Sequence, residues 1–249
     1  VKIFLDDIII HSRTISDHLK HLDICFTRLA EYNIKINLEK CEFFRDSVKY
    51  LGYKISAKGI HADKGAIQNV LDFIQPKSPK ELERFLGVVN WLQDFIPNAA
   101  DILYPLTELK RLSKTKKPLK WTKEALDAFE KIRRVVRKAP ILKHPEFDKP
   151  FVIFCDASDY AIGGVLCQRN SANKLQPIQY CSKKLNGNSL NWHIAEKETF
   201  ACVYCLEKWE KYLLPHHNTI YTDAKNLESL FNKSRDHTNR LFRWGIRVS

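Results

Sequence analysis

Methionine is absent from all 249 residues of the sequence, including the first position. The first residue, Val1, lies inside an apolar run, so we expect the chain to be a piece of a longer polypeptide. No apolar run reaches the ~18 residues that a membrane-spanning helix needs. No signal-peptide pattern opens the chain either. We therefore expect no membrane span.

A disulfide framework is also missing. The seven cysteines are an odd number without repeated close spacing. Five of them lie inside apolar runs: Cys25, Cys155, Cys167, Cys202 and Cys205. This pattern favours buried free thiols in a reducing, intracellular compartment. Cys202 and Cys205 form a C-x-x-C pair, but no second pair or histidine lies nearby, which disfavours a zinc site.

Positive charge is what the sequence has in excess. The formal net charge is +12, and 44% of the residues are hydrophobic, so the chain can bury real cores. The excess is uneven, with +1 over residues 1–76, +8 over 77–143 and +3 over 144–249. The middle segment is therefore the expected contact for a polyanion, with nucleic acid ahead of an acidic membrane.

Prolines divide the chain into the same three segments. Residues 1–76 predict a hairpin over 1–10 with two acids at its tip, a helix capped by Ser16, and strands at 34–36, 43–44 and 48–55. Beyond Pro76 the apolar spacing becomes helical. The predicted inward faces are Leu82, Phe85, Leu86 and Val89 in one helix, and Leu126, Phe129, Ile132 and Val136 in a second over 123–138. The predicted outward cations of the second helix are Lys131, Arg133, Arg134, Arg137 and Lys138.

Strands return in residues 144–249. The pattern predicts strands at 151–155, 164–168, 178–182 and 218–222, a long helix over 194–213, and short helices near 227–231 and 240–247. Three strands, a helix, a strand and further helices indicate a mixed-sheet α/β domain. The fold class of the whole chain is therefore α/β, or α+β over several domains.

Three acids of this last segment occupy informative positions. Asp156 and Asp223 each follow an apolar strand, where a buried, unpaired carboxylate would be costly. Glu198 shares the apolar face of the long helix, whereas Glu196 points elsewhere. Such acids can hold two Mg²⁺ ions about 4 Å apart, which activate water and stabilise the leaving oxygen of a phosphodiester. The alternative is that each acid pairs with Lys or Arg at the sheet edge, and spacing alone leaves the two interpretations nearly even.

Several motifs in order resemble the RNase H domain of gypsy-class LTR retrotransposon Pol polyproteins. They are Asp156-Ala157-Ser158, the run from Ala161 to Gln168, Pro177-Ile178, Tyr180, Ser182, Lys184-Leu185, Glu196-Lys197-Glu198, Tyr212-Leu213 and Tyr221-Thr222-Asp223. The resemblance implies that Asp156, Glu198 and Asp223 are catalytic metal ligands, with Glu198 fitting the family's Glu-x-x-Ala pattern. Ala224 replaces a frequent histidine, and the family's last strand, last helix and fourth acid usually lie further on. We therefore expect a truncated RNase H domain.

The front segment resembles the rear palm of reverse transcriptases. Phe4-Leu5-Asp6-Asp7 is similar to the Tyr-x-Asp-Asp hairpin, and Leu51-Gly52-Tyr53 matches the segment that holds the primer end. The resemblance implies metal ligation by Asp6, with Asp7 in support, and an aromatic contact of Phe4 with the primer terminus. The family's earlier palm acid and its nucleotide-binding fingers would precede Val1, so we expect no DNA polymerisation by this chain alone.

The middle segment resembles the thumb of the same enzymes. The matching residues are Phe85-Leu86-Gly87, Asn90-Trp91, Phe95-Ile96, Pro105-Leu106, Trp121, Ala128-Phe129 and Pro140-Ile141-Leu142. The apolar members are most simply core, and outward cations ordinarily form a solvated face. The net charge of +8 favours phosphate contacts that are independent of base sequence, with Lys131 and Arg134 as candidates.

The sequence thus predicts a Pol segment with rear palm (1–76), thumb (77–143) and truncated RNase H domain (144–249). The parent would copy RNA into DNA and hydrolyse the RNA of RNA–DNA hybrids with Mg²⁺, or with Mn²⁺ as the alternative. Expected partners are the hybrid and the primer–template duplex, with deoxynucleotides only when fingers and full palm are present, and no membrane. The cytoplasm or a virus-like particle is the expected location, with the nucleus left open. One rival is a decayed or host-adopted nucleic-acid-binding protein, and a second is a stand-alone RNase H-like nuclease, which would leave the thumb without a role.

Overall fold

The computed structural model describes residues 1–113, 119–213 and 218–224. It divides into two compact units, Val1–Ala57 and Lys58–Ser249. The division into palm, thumb and RNase H domain stays a prediction. The first unit contains β1 (Lys2–Phe4), β2 (Asp7–Ile9), α1 (Ile15–Glu31), a 3-10 turn (Leu38–Lys40), β3 (Ser47–Tyr50) and β4 (Tyr53–Ser56).

Two antiparallel hairpins flank α1 in the sequence of the first unit. β1 pairs with β2 so that Phe4 lies opposite Asp7, and Leu5 and Asp6 form the turn. β3 and β4 are joined by Leu51 and Gly52, whose φ angles are 49° and 76°. Two successive positive φ angles are typical of type I′ turns, which join the two strands of a hairpin through a two-residue loop.

Two local predictions for this unit were wrong. Thr14, not Ser16, caps α1, because the Thr14 hydroxyl accepts a hydrogen bond from the Asp17 amide at 3.1 Å and Ser16 is already helical. The segments 34–36 and 43–44 are not strands. Instead, the ring of Phe43 contacts that of Phe26 on α1, with 6.3 Å between centroids, so the aromatic pair folds back onto the helix.

The second unit places helices before a four-stranded sheet. Its elements are β5 (Gly59–Ala62), α2 (Lys64–Leu71), α3 (Pro79–Trp91), α4 (Ala99–Leu112), α5 (Lys123–Arg137), β6 (Val152–Ala157), β7 (Ala161–Arg169), β8 (Leu175–Lys184), α6 (Ile194–Leu213) and β9 (Thr219–Tyr221). The sheet has the order β8-β7-β6-β9, with β9 parallel to β6 and the other neighbours antiparallel. This mixed sheet confirms the predicted α/β fold class. Among the described residues, no helix is both long and apolar enough to cross a membrane.

The helical part is built around buried aromatic and aliphatic side chains. The ring of Phe85 on α3 lies 4.7 Å from that of Phe129 on α5, and both side chains are buried. Leu126 was predicted to face inward but is 39% exposed, because the small Ala125 and Ala128 occupy the buried face of α5 instead. The prediction that Arg133 points outward was also wrong, since its guanidinium hydrogen-bonds the Leu71 carbonyl of α2.

Helix α4 has no counterpart in the sequence prediction. Its buried residues follow helical spacing: Ala99, Ile102, Leu103, Leu106 and Leu109. Pro105 lies inside the helix, where a proline normally signals a break because it lacks an N–H and crowds the preceding turn. Asn98 precedes the helix with a positive φ of 48° and makes no side-chain cap, which also hides the helix start from sequence rules.

The two faces of the sheet are covered by different helices. A Cβ atom added at Gly164 would lie 2.5 Å from Cys205 Sγ of α6, whereas one at Gly163 would lie 3.2 Å from Asn98 Oδ1 beside α4. Successive residues of a strand face opposite sides. Helix α6 therefore covers one face, around the buried Trp209, and the N-terminal end of α4 lies on the other.

A pair of glycine substitutions measures how tightly α6 packs. We expect Gly164→Ala to lower the free energy of unfolding by about 1–3 kcal/mol, because the new methyl group would overlap Cys205 Sγ and the Phe154 carbonyl. Gly87→Ala is the control, since nothing lies within 4 Å of its added Cβ and alanine favours a helix interior by about 1 kcal/mol. Urea denaturation of both variants checks the signs. A Gly164→Ala protein as stable as the wild type would contradict this packing.

Candidate active site

The carboxylates of Asp156 and Asp223 lie at one edge of the sheet because of the strand register. The parallel strands β6 and β9 end their pairing with Phe154 opposite Tyr221, and the two rings stack with 4.9 Å between centroids. Asp156 lies two residues after Phe154, and Asp223 lies two residues after Tyr221. The carboxyl ends of parallel strands meet at the same edge, so the register brings the two acids together.

Glu198 approaches this edge from the second turn of α6. Its side chain is only 7% exposed. One carboxylate oxygen, Oε2, is buried without a hydrogen-bond partner in the described part of the chain. The backbone N–H of Ala157, directly after Asp156, lies near the Glu198 carboxylate and acts to lower its pKa. The helix thus delivers a carboxylate to the end of β6.

The electrostatics of Glu198 reflect both its burial and its neighbours. The pKa of Glu198 is raised to about 7, first by burial and then by the negative charges of Asp156 and Asp223, while the Ala157 N–H acts in the opposite direction. A raised pKa from burial and a specific charge partner is characteristic of functional sites. The sequence-predicted set of Asp156, Glu198 and Asp223 is therefore one interacting group of acids.

The prediction that Asp156 and Asp223 are buried was wrong, although both do follow apolar strands. Asp156 and Asp223 are exposed rather than buried. Of these three acids, only Glu198 is buried, because it lies on the face of α6 that packs against the sheet. Asp156 and Asp223 lie at the strand ends, where they reach solvent. Glu196, the rejected alternative, lies elsewhere, and its Oε2 accepts a hydrogen bond from the His193 amide at the start of α6.

The carboxylate oxygens of the three acids are suitable ligands for a hard divalent cation. Carboxylate oxygens are the ligands that Mg²⁺ prefers, and the unpaired Glu198 Oε2 is a buried acceptor that a cation would satisfy. In the described residues, no group of three or more His, Cys, Asp or Glu side chains is already gathered closely enough to hold a metal ion. The exposed Asp156 and Asp223 side chains would have to turn inward to complete a coordination shell with Glu198.

The predicted palm residues lie at the tips of the two hairpins in the first unit. Asp6 is in the β1–β2 turn and Asp7 opens β2, both exposed, with the exposed Phe4 paired to Asp7. Leu51 and Gly52 form the second turn, and Tyr53 opens β4. The metal-binding and primer-contacting roles of these residues stay predictions.

The predicted thumb cations remain available on α5. Lys131, Arg134, Arg137 and Lys138 are exposed along the helix and its end. Arg134 Nε donates only a long hydrogen bond of 3.4 Å to the Glu130 carbonyl. Arg133 differs, because its contact with α2 and its position over the Phe129 ring make it part of the packing.

Sequence reasoning missed the residues that surround Asp156 on the α4 side. A cavity of about 50 Å³ is lined by Asn98, Asp101, Asp156, Ser158, Ala161, Ile162, Gly163 and Ser182. Asn98 directly precedes α4 and Asp101 lies in its first turn, and both are at least 55 positions before Asp156 in the sequence. The only signal was the helical spacing of α4, which Pro105 obscured.

Two family models match separate parts of this chain. Residues 1–55 match the family model of the reverse transcriptase (RNA-dependent DNA polymerase), and residues 146–249 match that of the RNase H-like domain found in reverse transcriptase. The polyproteins of transposons Tf2-3 and Tf2-4 of Schizosaccharomyces pombe are each 38% identical over 248 residues, which is 98% of this chain. The chain spans 18% of the length of these relatives.

Solved structures show the same fold. The foamy viral protease-reverse transcriptase dRH in complex with double-stranded DNA superposes with a TM-score of 0.77 at 24% identity, over 94% of this chain and 41% of that one. The foamy viral protease-reverse transcriptase in complex with an RNA/DNA hybrid gives 0.76 at 25% identity, over 96% and 33%.

Fold, acid arrangement and family matches together define a reverse transcriptase segment joined to an RNase H-like domain. The class is enzymatic, and its members generally use divalent metal ions. The similarity to the Tf2 polyproteins over 98% of this chain agrees with the resemblance of the sequence to gypsy-class LTR retrotransposon Pol polyproteins.

Proposed function

We propose that the second unit hydrolyses the RNA strand of RNA–DNA hybrids with the help of two divalent ions, Mg²⁺ or alternatively Mn²⁺. The observation that carries the proposal is the effect of the Asp156 and Asp223 charges on Glu198, whose buried Oε2 lacks a hydrogen-bond partner among the described residues. The match of residues 146–249 to the RNase H-like family supports the same assignment.

The bound ions would activate a water molecule and stabilise the leaving 3′ oxygen of the cleaved phosphodiester. Asp156, Glu198 and Asp223 would hold them. Glu198 is held on the buried face of α6, so it supplies the rigid ligand. Asp156 and Asp223 are exposed, so they can hold the ions where the substrate phosphate approaches.

We infer a second divalent-ion site at Asp6 and Asp7 that serves RNA-directed DNA synthesis in the parent polyprotein. The tight turn at Leu5 and Asp6 projects both carboxylates from the hairpin tip. Phe4, Leu51, Gly52 and Tyr53 would contact the primer end. The match of residues 1–55 to the reverse transcriptase family supports this role.

The duplex partner would be held through phosphates by the exposed cations of α5. Exposed lysine and arginine side chains release counterions from nucleic acid when they contact phosphates, which makes binding salt-dependent. Foamy viral protease-reverse transcriptase, with the same fold, was solved with double-stranded DNA and with an RNA/DNA hybrid. We propose both duplex types as partners of this chain.

Removing single cations of α5 tests the duplex contact. We expect Lys131→Ala and Arg134→Ala each to weaken hybrid binding equally for unrelated sequences and to lower the slope of log affinity against log salt by about 1. Arg133→Lys is the control, because that side chain is used in packing and should leave the salt slope unchanged. Fluorescence anisotropy across a salt series measures both. Unchanged slopes for Lys131 and Arg134 variants would contradict the proposed interface.

The activity itself is tested with an RNA strand labelled at one end and annealed to DNA. Cleavage products should appear with Mg²⁺ or Mn²⁺ on the hybrid, and not on double-stranded DNA of the same sequence. Tight hybrid binding without any cleavage would instead support the decayed or host-adopted binding protein. A longer polyprotein that contains this chain should be assayed beside it, so that a contribution of residues outside this sequence is distinguished from a non-functional site.

A further inference from the structure

We propose that Asp101 of α4 is a positioning residue for the RNase H site, so that this site extends from the sheet onto the thumb-like helices. The inference rests on the proposed function and deepens it. Asp101 is one of the cavity-lining residues beside Asp156, and no sequence resemblance assigns it a role. The argument depends on three sets of contacts around the turn that follows Asp156.

The first contact is a hydrogen bond between α4 and this turn. Ser158, two residues after Asp156, donates its hydroxyl proton to Asp101 Oδ1 at 2.6 Å. Ser158 Oγ in turn accepts hydrogen bonds from the amides of Tyr160 and Ala161, at 3.3 and 3.0 Å. A serine hydroxyl has one proton and two lone pairs. The Ala161 carbonyl at 3.2 Å is a second acceptor for this proton, and Asp101 Oδ1 is the closer of the two. The length of 2.6 Å is that of a charge-assisted bond, which is stronger than a neutral one.

The second set of contacts fits the start of α4 against a row of residues across the sheet. Asp156, Gly163 and Ser182 lie side by side on β6, β7 and β8. Because Gly163 lacks a side chain, the Asn98 side chain can approach the strand directly beside Asp156. Ser182 Oγ accepts a hydrogen bond from the Ala100 amide at 2.9 Å. The sheet thereby supplies the cap that Asn98 does not.

The third set clamps the same turn from both sides of the sheet. One helical turn beyond Asp101, the ring of Tyr104 stacks on that of Tyr160 with 4.0 Å between centroids. From the α6 side, the buried Lys197 donates to the Asp159 carbonyl at 3.0 Å. Residues 158–160 are thus held between α4 and the helix that carries Glu198. A turn held in this way fixes the end of β6, and with it the backbone that presents the otherwise exposed Asp156.

Asp101 acts in this scheme through Ser158 and does not touch the reacting atoms. Its carboxylate fixes the Ser158 hydroxyl, the hydroxyl fixes the turn amides, and the turn fixes Asp156. Small displacements of a metal ligand are expensive in catalysis, because productive geometry must be held within about 0.5 Å. The expected signature is therefore a loss in kcat with little change in KM.

The test uses hybrid cleavage by Asp101→Ala, Asp101→Asn and Ser158→Ala in the full chain. We expect Asp101→Ala to lower kcat about tenfold without raising KM, and Asp101→Asn, which keeps an oxygen acceptor, to restore activity to within about threefold. Ser158→Ala should lower kcat by a similar factor. The double variant Asp101→Ala/Ser158→Ala should lower kcat no more than either single substitution does. The matched control is Glu108→Gln, which weakens the Glu108–Lys184 ion pair of 2.7 Å in the same α4–sheet contact, two helical turns from Asp101.

Amide hydrogen exchange supplies a readout that does not depend on activity. The amides of Tyr160 and Ala161 should exchange about tenfold faster in Asp101→Ala and unchanged in Glu108→Gln. Equal effects of the Asp101→Ala and Glu108→Gln substitutions, a wild-type kcat in Asp101→Ala, or failure of Asp101→Asn to restore activity would each overturn the proposal. If the wild-type chain does not cleave hybrid, the proposed function fails first. The exchange comparison then decides the positioning role by itself, with faster exchange only in Asp101→Ala supporting it and equal exchange overturning it.

Discussion

Replacement of Glu198 by glutamine is expected to abolish hybrid cleavage and, at the same time, to stabilise the protein at pH 8 when divalent ions are absent. The reason is the raised pKa of Glu198, about 7, compared with 4.5 for an ordinary glutamate. The folded protein binds this proton more tightly than the unfolded chain does. The free energy of unfolding therefore falls as the pH rises from about 4.5 to 7, and the loss persists above pH 7.

Glutamine carries no charge, so Glu198→Gln removes this penalty where it is present. The difference between a pKa of about 7 and one of 4.5 corresponds to about 3.5 kcal/mol. Because glutamine keeps part of the cost of burying a polar group, we expect a gain of about 2 kcal/mol at pH 8 and almost none near pH 4. Thermal unfolding in EDTA at the two pH values measures the difference, which corresponds to a rise in Tm of several degrees at pH 8 only.

Glu196→Gln is the matched control for Glu198→Gln. It lies on the same helical turn, but it is partly exposed and its carboxylate already has a partner in the His193 amide. It should retain cleavage and gain no stability at pH 8. Equal stabilisation by the two substitutions, or a Glu198→Gln protein that is less stable than the wild type at pH 8, would contradict the electrostatic account of the site.

Replacement of Asp156 by asparagine is expected to reduce hybrid cleavage at least about a thousandfold, which corresponds to about 4 kcal/mol of transition-state stabilisation. The carboxylate is exposed, so the substitution should leave the fold intact and hybrid binding nearly unchanged. The loss should therefore appear in kcat. Single-turnover cleavage with excess enzyme separates it from any effect on binding.

Asp159→Asn is a control for the Asp156 substitution. Asp159 is exposed and lies three residues further on, where its backbone carbonyl, rather than its carboxylate, accepts the closer contact from Lys197. The Asp159 variant should cleave at close to the wild-type rate. Cleavage by Asp156→Asn at the wild-type rate would remove Asp156 from the mechanism, whatever the Asp159 variant does.

The parts of this site that the sequence predicts are those set by local patterns along the chain. Glu198 could be chosen over Glu196 because the 3.6-residue period fixes which helical face is apolar. Its burial confirms the face. The bounds of α6, Ile194–Leu213, also follow directly from the long apolar pattern, and the predicted region agrees with them.

Neighbours of the site that come from distant segments could not be predicted. The contact between Asp101 and Ser158 joins residues 57 positions apart, and that between Ala100 and Ser182 joins residues 82 apart. No local pattern encodes such contacts. They also depend on α4, whose internal Pro105 is a helix-breaking signal that tertiary packing overrides.

The exposure of Asp156 and Asp223 shows a different limit. Apolar residues before each acid correctly predict a buried strand, but they do not tell where the sheet edge ends and solvent begins. The strand acids therefore sit beyond the core, and the buried carboxylate comes from the helix. Predictions for the short helices near 227–231 and 240–247 lie outside the described residues.

The most direct measurement of the central claim is anomalous diffraction from crystals of the hybrid-bound protein grown with Mn²⁺ in place of Mg²⁺. The account predicts anomalous density bounded by the carboxylates of Asp156, Glu198 and Asp223 and next to a phosphate of the RNA strand. Anomalous density at other residues only, with Glu198 Oε2 remaining unpartnered beside the bound hybrid, would contradict it.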